Sequence, residues 1–232
     1  MSERFWAVVP AAGVGRRMGG EVPKQYLPLQ GRRVIDHTLQ RLLNHPLIEG
    51  AYVALSPEDA YWQECEHAAD GRVMRVAGGE ERCHSVLNAL NELSSVAERN
   101  DWVLVHDAAR PCLSTGDLDH LISSLREHPV GGLLGVPVQD TLKRVSASGD
   151  VDETVPRSDL WQAYTPQMFR LGLLTEALAE ALSKDQLVTD DASAMELAGY
   201  RPLMVEGHAG NIKITRPADL ELAAFYLARQ AE

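Results

Sequence analysis

Apolar residues follow two alternating rhythms along the chain. Phe5–Pro10 (FWAVVP) and residues 51–56, 73–77, 102–106 (WVLVH) and 131–138 are short apolar runs ended by breakers or glycines. Each predicts a buried parallel strand, and 203–206 predicts a late one. Between them the apolar positions fall at helical spacing. Val34, Ile35, Leu39, Leu42 and Leu43 mark a helix within 34–45, and Val86, Leu87, Leu90 and Leu93 one within 82–96. Leu118, Leu121, Ile122 and Leu125 mark a third, and 171–183, 192–198 and 217–230 complete the set. Pro217 suits a first helical turn, with Asp219 and Glu221 near the positive end of the dipole. Strands alternating with helices predict the α/β class: a doubly wound, mostly parallel sheet in one domain, with ligands at the carboxyl ends of its strands.

One stretch departs from this rhythm. Residues 141–157 (TLKRVSASGDVDETVPR) alternate in strand fashion about a turn at 146–149, which predicts a β-hairpin arm projecting from the domain. A lone two-stranded arm is marginal in water, so it needs something to pack on, and a second subunit is the simplest partner.

Charge and cysteines narrow the chemistry. A net charge of -11 over 232 residues argues against general nucleic-acid binding but leaves room for anionic small ligands held by local cations. Three cysteines without CxxC spacing predict neither a disulfide framework nor a zinc site. The start of the chain lacks a signal-peptide pattern, and no apolar run approaches 18 residues. The expectation is a cytoplasmic protein without a membrane partner.

The first strand runs into Pro10, Ala11, Ala12, Gly13 and Gly15, followed by Arg16, Arg17 and Lys24. Such a turn either cradles phosphate on free N–H groups or is a plain glycine turn with solvated charges. The Walker A order is absent. A dinucleotide fingerprint fails because Met18 stands where Gly or Ala belongs and no acidic residue ends the second strand, which disfavours a dehydrogenase.

The string PAAGVGRRMGGEVPKQYLPLQG at 10–31 resembles the nucleotide loop of the nucleotidyltransferases that make activated sugars and alditols. HDAARP at 106–111, DTLKR at 140–144, WQAYTPQ at 161–167, TDDAS at 189–193 and NIKIT at 211–215 follow in order. Together they resemble the 2-C-methyl-D-erythritol 4-phosphate cytidylyltransferase family across nearly the whole chain. The resemblance implies a Rossmann-like nucleotidyltransferase fold, CTP and an alditol phosphate as substrates, and a homodimer. It also implies Mg²⁺ or another divalent cation bound mainly through substrate phosphates, with no dedicated protein metal site.

It further implies roles for individual residues. Pro10 to Gly15 would wrap the nucleotide with backbone amides, while Arg17 and Lys24 stabilise charge on the α-phosphate and departing pyrophosphate. Gly79, Glu80 and Ser85 would line the base pocket, with Glu80 standing where the family often carries Asp. Asp107, Ala108 and Arg110 would sit where nucleotide and alditol phosphate meet, Asp107 contacting hydroxyls or supporting the metal. An ion pair between Asp107 and Arg110 is the structural alternative. Arg157 and Lys213 would hold the acceptor phosphate, with hydroxyl contacts from Thr141, Thr165 and Thr189. Thr141 and Arg157, on the arm, would complete the neighbouring subunit's site. His106 reads as a packed histidine.

Rival readings are a D-ribitol 5-phosphate cytidylyltransferase of the same fold, a nucleoside-diphosphate-sugar pyrophosphorylase using another nucleotide, and a catalytically silent nucleotide-binding regulator. The presence of Arg17, Lys24, Arg157 and Lys213 together argues against the last.

Overall fold

The computed structural model describes residues 3–13 and 22–230. The elements in chain order are β1 (Phe5–Pro10), β2 (Pro28–Leu29), β3 (Arg32–Arg33), α1 (Val34–Leu43), β4 (Ile48–Leu55), β5 (Val73–Ala77), α2 (Arg82–Leu93), β6 (Trp102–Val105) and α3 (Thr115–Leu125). They continue with β7 (Gly131–Pro137), β8 (Leu142–Val145), β9 (Val151–Val155), β10 (Trp161–Arg170), α4 (Leu171–Ser183), α5 (Asp191–Leu197), β11 (Leu203–Glu206) and α6 (Ala218–Gln230).

Seven strands form one sheet in the order β11-β7-β10-β6-β1-β4-β5. β1 pairs in parallel with β4 and β6, β4 with β5, and β11 with β7. β10 is antiparallel to both its neighbours, β6 and β7. The apolar runs therefore become the parallel strands they predict, and the helices appear where the spacing puts them. β10 is an addition that the hydrophobic pattern does not announce.

The two-residue period of the strands divides the core between the faces of the sheet. Ala7 and Val9 pack with Val53, Leu55 and Leu104 under α1 and α3. Val8 turns the other way, packing with Val103, Val105 and Phe169 under α2, α4 and α5. Helices on both faces explain why β1 and β6 are apolar almost throughout. α6 closes a smaller cluster with Leu29, Val34, Cys112 and Ile214.

Strands β7 and β11 approach so closely that a Cβ on Gly132 would stand 2.0 Å from the Leu203 carbonyl oxygen. Gly132→Ala is expected to destabilise the protein by about 2 kcal/mol or more, because a backbone atom cannot step aside as a side chain can. Urea unfolding checks this; an unchanged midpoint would contradict the packing.

β8 and β9 form the hairpin, exposed along most of its length. Its turn is closed by Ser146 and Asp150, with Gly149 at φ +91 where a side chain would be strained. Val138 N–H donates to the Leu160 carbonyl at 2.9 Å and closes the neck where the arm leaves β7 and β10.

Candidate active site

β1 leads on one side to β4 and on the other pairs with β6, so the sheet reverses its winding beside β1. Loops leaving the carboxyl ends of two such strands splay apart and leave a crevice. Here it is a cleft of about 240 Å³. Pro10 to Gly13 form one wall, the segment from Gly79 to Ser85 another, and Asp107 to Ala109 the floor. Lys24 and Lys213 enter from the side.

The first wall is fixed from inside. Gln25, buried in the turn after Lys24, donates through Nε2 to the carbonyls of Ala11 at 2.8 Å and Gly13 at 3.2 Å. Ala11 N–H donates to Ala54 O at 2.8 Å. Anchored this way, the wall cannot collapse into the cleft. Gly15 and Arg17 lie outside the described residues. On the opposite wall, Gly79 N–H donates to the Ser85 hydroxyl at 3.0 Å, and Ser85 itself is buried. Glu80 is exposed at the rim. Lys24 donates through Nζ to Ile214 O at 2.8 Å, which ties it to the strand of chain that carries Lys213.

Asp107 organises the floor. Its Oδ1 accepts from Arg82 Nε at 3.1 Å, while Oδ2 faces Lys213 Nζ at 2.7 Å and Arg110 Nε at 3.7 Å. Burial alone would raise this carboxyl; Arg82, Lys213 and Arg110 together override it and hold Asp107 well below the usual carboxylate range. Asp107 is thus an ion-pair hub that also lines the cleft, and the ion pair with Arg110 named as the structural alternative is present.

Beneath the floor lies a hydrogen-bonded layer. Asp107 N–H donates to Thr165 Oγ1 at 3.1 Å, and that hydroxyl stands 2.9 Å from His106 Nδ1. His106 Nε2 lies 3.0 Å from the Arg110 carbonyl. Burial pushes the His106 pKa down to about 4, so the ring is neutral near pH 7, its Nε2–H donating and Nδ1 accepting. Arg110 donates to Asn211 O at 2.7 Å and stacks on Tyr164, 4.5 Å from the ring centre. Arg110 and Thr165 are buried and absent from the cleft lining. They support the floor where direct contact with substrate was expected.

Thr141, Arg157 and Thr189 are exposed and stand outside this cleft in the single chain. Arg157 donates to the Gln139 carbonyl at the base of the arm. Arg82 and Gln25, both in the lining, carry no sequence-based assignment, although Gln25 lies within the 10–31 string and Arg82 between the assigned Glu80 and Ser85. The signal for Arg82 was available: a cation at the first position of a helix, where the dipole disfavours it, needs a compensating carboxylate.

Among the described residues, no group of three His, Cys, Asp or Glu side chains is placed to hold a metal ion. The carboxylate on the floor already faces three cations.

Comparison with known proteins places the chain in a family. The family profile for 2-C-methyl-D-erythritol 4-phosphate cytidylyltransferase matches residues 5–229. A protein of that name from Pseudomonas fluorescens is 57% identical over 225 residues, covering 95% of this chain and 96% of its own. One from Pseudomonas aeruginosa is 58% identical over 217 residues, covering 93% of each. The crystal structure of the Francisella tularensis enzyme superposes with a TM-score of 0.85 at 36% identity, covering 97% of this chain and all of the other. With a cleft at the switch point of the sheet and a match that spans almost every element, the chain belongs to the 2-C-methyl-D-erythritol 4-phosphate cytidylyltransferase family.

Proposed function

We propose that the chain transfers a cytidylyl group from CTP to 2-C-methyl-D-erythritol 4-phosphate, releasing pyrophosphate and forming 4-diphosphocytidyl-2-C-methyl-D-erythritol for isoprenoid precursor synthesis. The supporting observation is the lysine pair at the cleft: Lys213 held by Asp107 and Lys24 by the Ile214 carbonyl, opposite the Pro10–Gly13 wall.

The acceptor phosphate is anionic at neutral pH, so attack on the α-phosphorus needs no strong general base and no covalent enzyme intermediate. Catalysis then rests on positioning and on neutralising charge as it develops. Lys24 faces the α-phosphate and the departing pyrophosphate and Lys213 the acceptor; the role the resemblance gives Arg17 falls outside the described residues. Ala11 to Gly13, Gly79, Glu80, Ser85 and Ala108 bind the nucleotide. Bound across the phosphates, Mg²⁺ or a similar cation would reduce repulsion between the two anions. His106, neutral and enclosed, keeps the floor in register.

The whole chain, 1–232, is read as one domain, with the 141–157 arm reaching a second copy so that Thr141 and Arg157 complete the partner's cleft. Thr189 approaches the acceptor from the start of α5. Among the described residues no helix is long and apolar enough to cross a membrane. The reading assigns the enzyme to the cytoplasm.

Pyrophosphate release with CTP and Mg²⁺ tests the reading. Release with 2-C-methyl-D-erythritol 4-phosphate and not with D-ribitol 5-phosphate is expected. Release only with the ribitol phosphate would overturn the acceptor assignment, and activity with UTP or GTP in place of CTP would overturn the nucleotide.

A further inference from the structure

The walls of the cleft are joined by one side chain that the mechanism above does not use. Arg82 opens α2, on the nucleotide side. Its Nε meets Asp107 Oδ1 at 3.1 Å and its Nη2 meets Asp191 Oδ2 at 2.8 Å. Asp191 opens α5, directly after Thr189 and Asp190, and is fully buried. We propose that Arg82 is a positioning residue that clamps the acceptor-side helix α5 to the floor carboxylate and thereby fixes Lys213.

Three observations carry this. The first is geometric. A guanidinium presents Nε and Nη2 in a rigid plane, so it sets the separation of the two carboxylates it bridges; a lysine ammonium is a single point and cannot. The second is electrostatic. Asp191 is sealed from water, burial raises its pKa, and Arg82 is the cation that opposes this. Among the described residues its second oxygen, Oδ1, has no hydrogen-bond partner, so the arginine contact is the polar tie seen to hold its side chain.

The third is that α5 is fastened from the opposite side as well. Gln167 Nε2 donates to Asp190 Oδ2 at 2.9 Å, while Gln167 Oε1 accepts from Ala192 N–H at 2.7 Å. With Gln167 on β10 and Arg82 on α2 gripping it, the start of α5 has one position relative to the floor, and Thr189 is carried with it. From Asp191 the chain of contacts runs through Arg82 to Asp107 and on to Lys213 at 2.7 Å. A shift of α5 would therefore reach the lysine proposed to hold the acceptor phosphate.

This inference rests on the cytidylyltransferase reading, so wild-type activity is measured first. Absence of pyrophosphate release by the wild type would count against that reading, and the clamp is judged on an active wild type. Arg82→Gln is expected to lower kcat on the order of 10–100-fold, as small misplacements of reacting groups do, with CTP affinity by calorimetry nearly unchanged. It also strands a buried charge on Asp191 and will lower the unfolding midpoint. Arg82→Gln/Asp191→Asn removes that charge, so it should regain the midpoint without regaining kcat. Recovery of kcat in the double variant would show that Arg82 only neutralises Asp191 and would overturn the clamp. A tenfold or greater loss of CTP affinity in either variant would also overturn it, making Arg82 a nucleotide contact. Should Arg82→Gln fail to fold, the double variant carries the test by itself.

Discussion

Asp107→Asn is expected to lower kcat by about two to three orders of magnitude, the scale of removing a preorganised charge from a water-poor site. It is also expected to cost about 3–5 kcal/mol of stability, the scale of breaking a buried ion pair by deleting one partner. An amide can neither balance three cations nor accept from all of them. Lys213 is partly exposed and can turn to water, so its share of the loss is small. Arg110 is buried and Arg82 is also tied to the buried Asp191, so the stability penalty falls mainly on these two.

The acid dependence has a definite sign. Asp107 is held below its unfolded-state pKa of about 4, so its stabilisation is complete above that pH and is lost as pH falls through the lower folded value. The gap in unfolding free energy between wild type and Asp107→Asn should be constant from neutral pH to about 5 and should narrow below about 4. Urea titrations at a series of pH values measure it. Equal midpoints at pH 7 would refute the hub.

Arg157→Ala is expected to leave CTP binding nearly intact and to abolish detectable turnover. Arg157 stands exposed on the arm, outside the cleft of its own chain. If it serves the partner's site, Arg157→Ala and Lys213→Ala have complementary defects. In a mixed dimer, one site receives both lesions and the other receives none. Randomly reassociated mixtures of the two inactive proteins should then recover about one intact site in four. Deleting residues 142–155 should give inactive monomers by light scattering. A mixture as inactive as its components, with exchange verified, would place Arg157 in its own chain's site or remove it from the reaction.

The parallel strands and their helices were readable because each buries a face with a fixed period, as Val34 to Leu43 and the alternation of Ala7, Val8 and Val9 show. β10 was not, for a physical reason. Trp161 to Ala163 are exposed, Thr165 to Phe169 are buried, and Pro166 sits at the irregularity where pairing with β7 shifts. Neither alternation nor a continuous apolar run survives that change of environment, and a proline argues against a central strand. The arm kept its signal because its turn is local. In the site, the Pro10–Gly13 turn and Lys24 stand out by residue type after a strand end, whereas Lys213 stands out only through the resemblance carried by NIKIT. Depth was not legible: Arg110 and Thr165 carry the chemistry of substrate contacts yet lie under the floor. The Arg82–Asp191 pair spans 109 residues of sequence and emerges only on folding.

The antiparallel β10 also shapes how this protein must be made. β6, apolar and wholly buried, is paired on one side with β1, but its other edge stays open until Gln167 arrives to face Val105. β7 has no partner in the sheet before β10 and β11 are synthesised. A growing chain that has not yet released β10 from the ribosome therefore presents an open edge on β6 and an unpaired β7, the kind of surface that recruits other strands. Chains truncated before Arg170 should be aggregation-prone during synthesis, whereas chains ending after α4 will already have sealed the middle of the sheet.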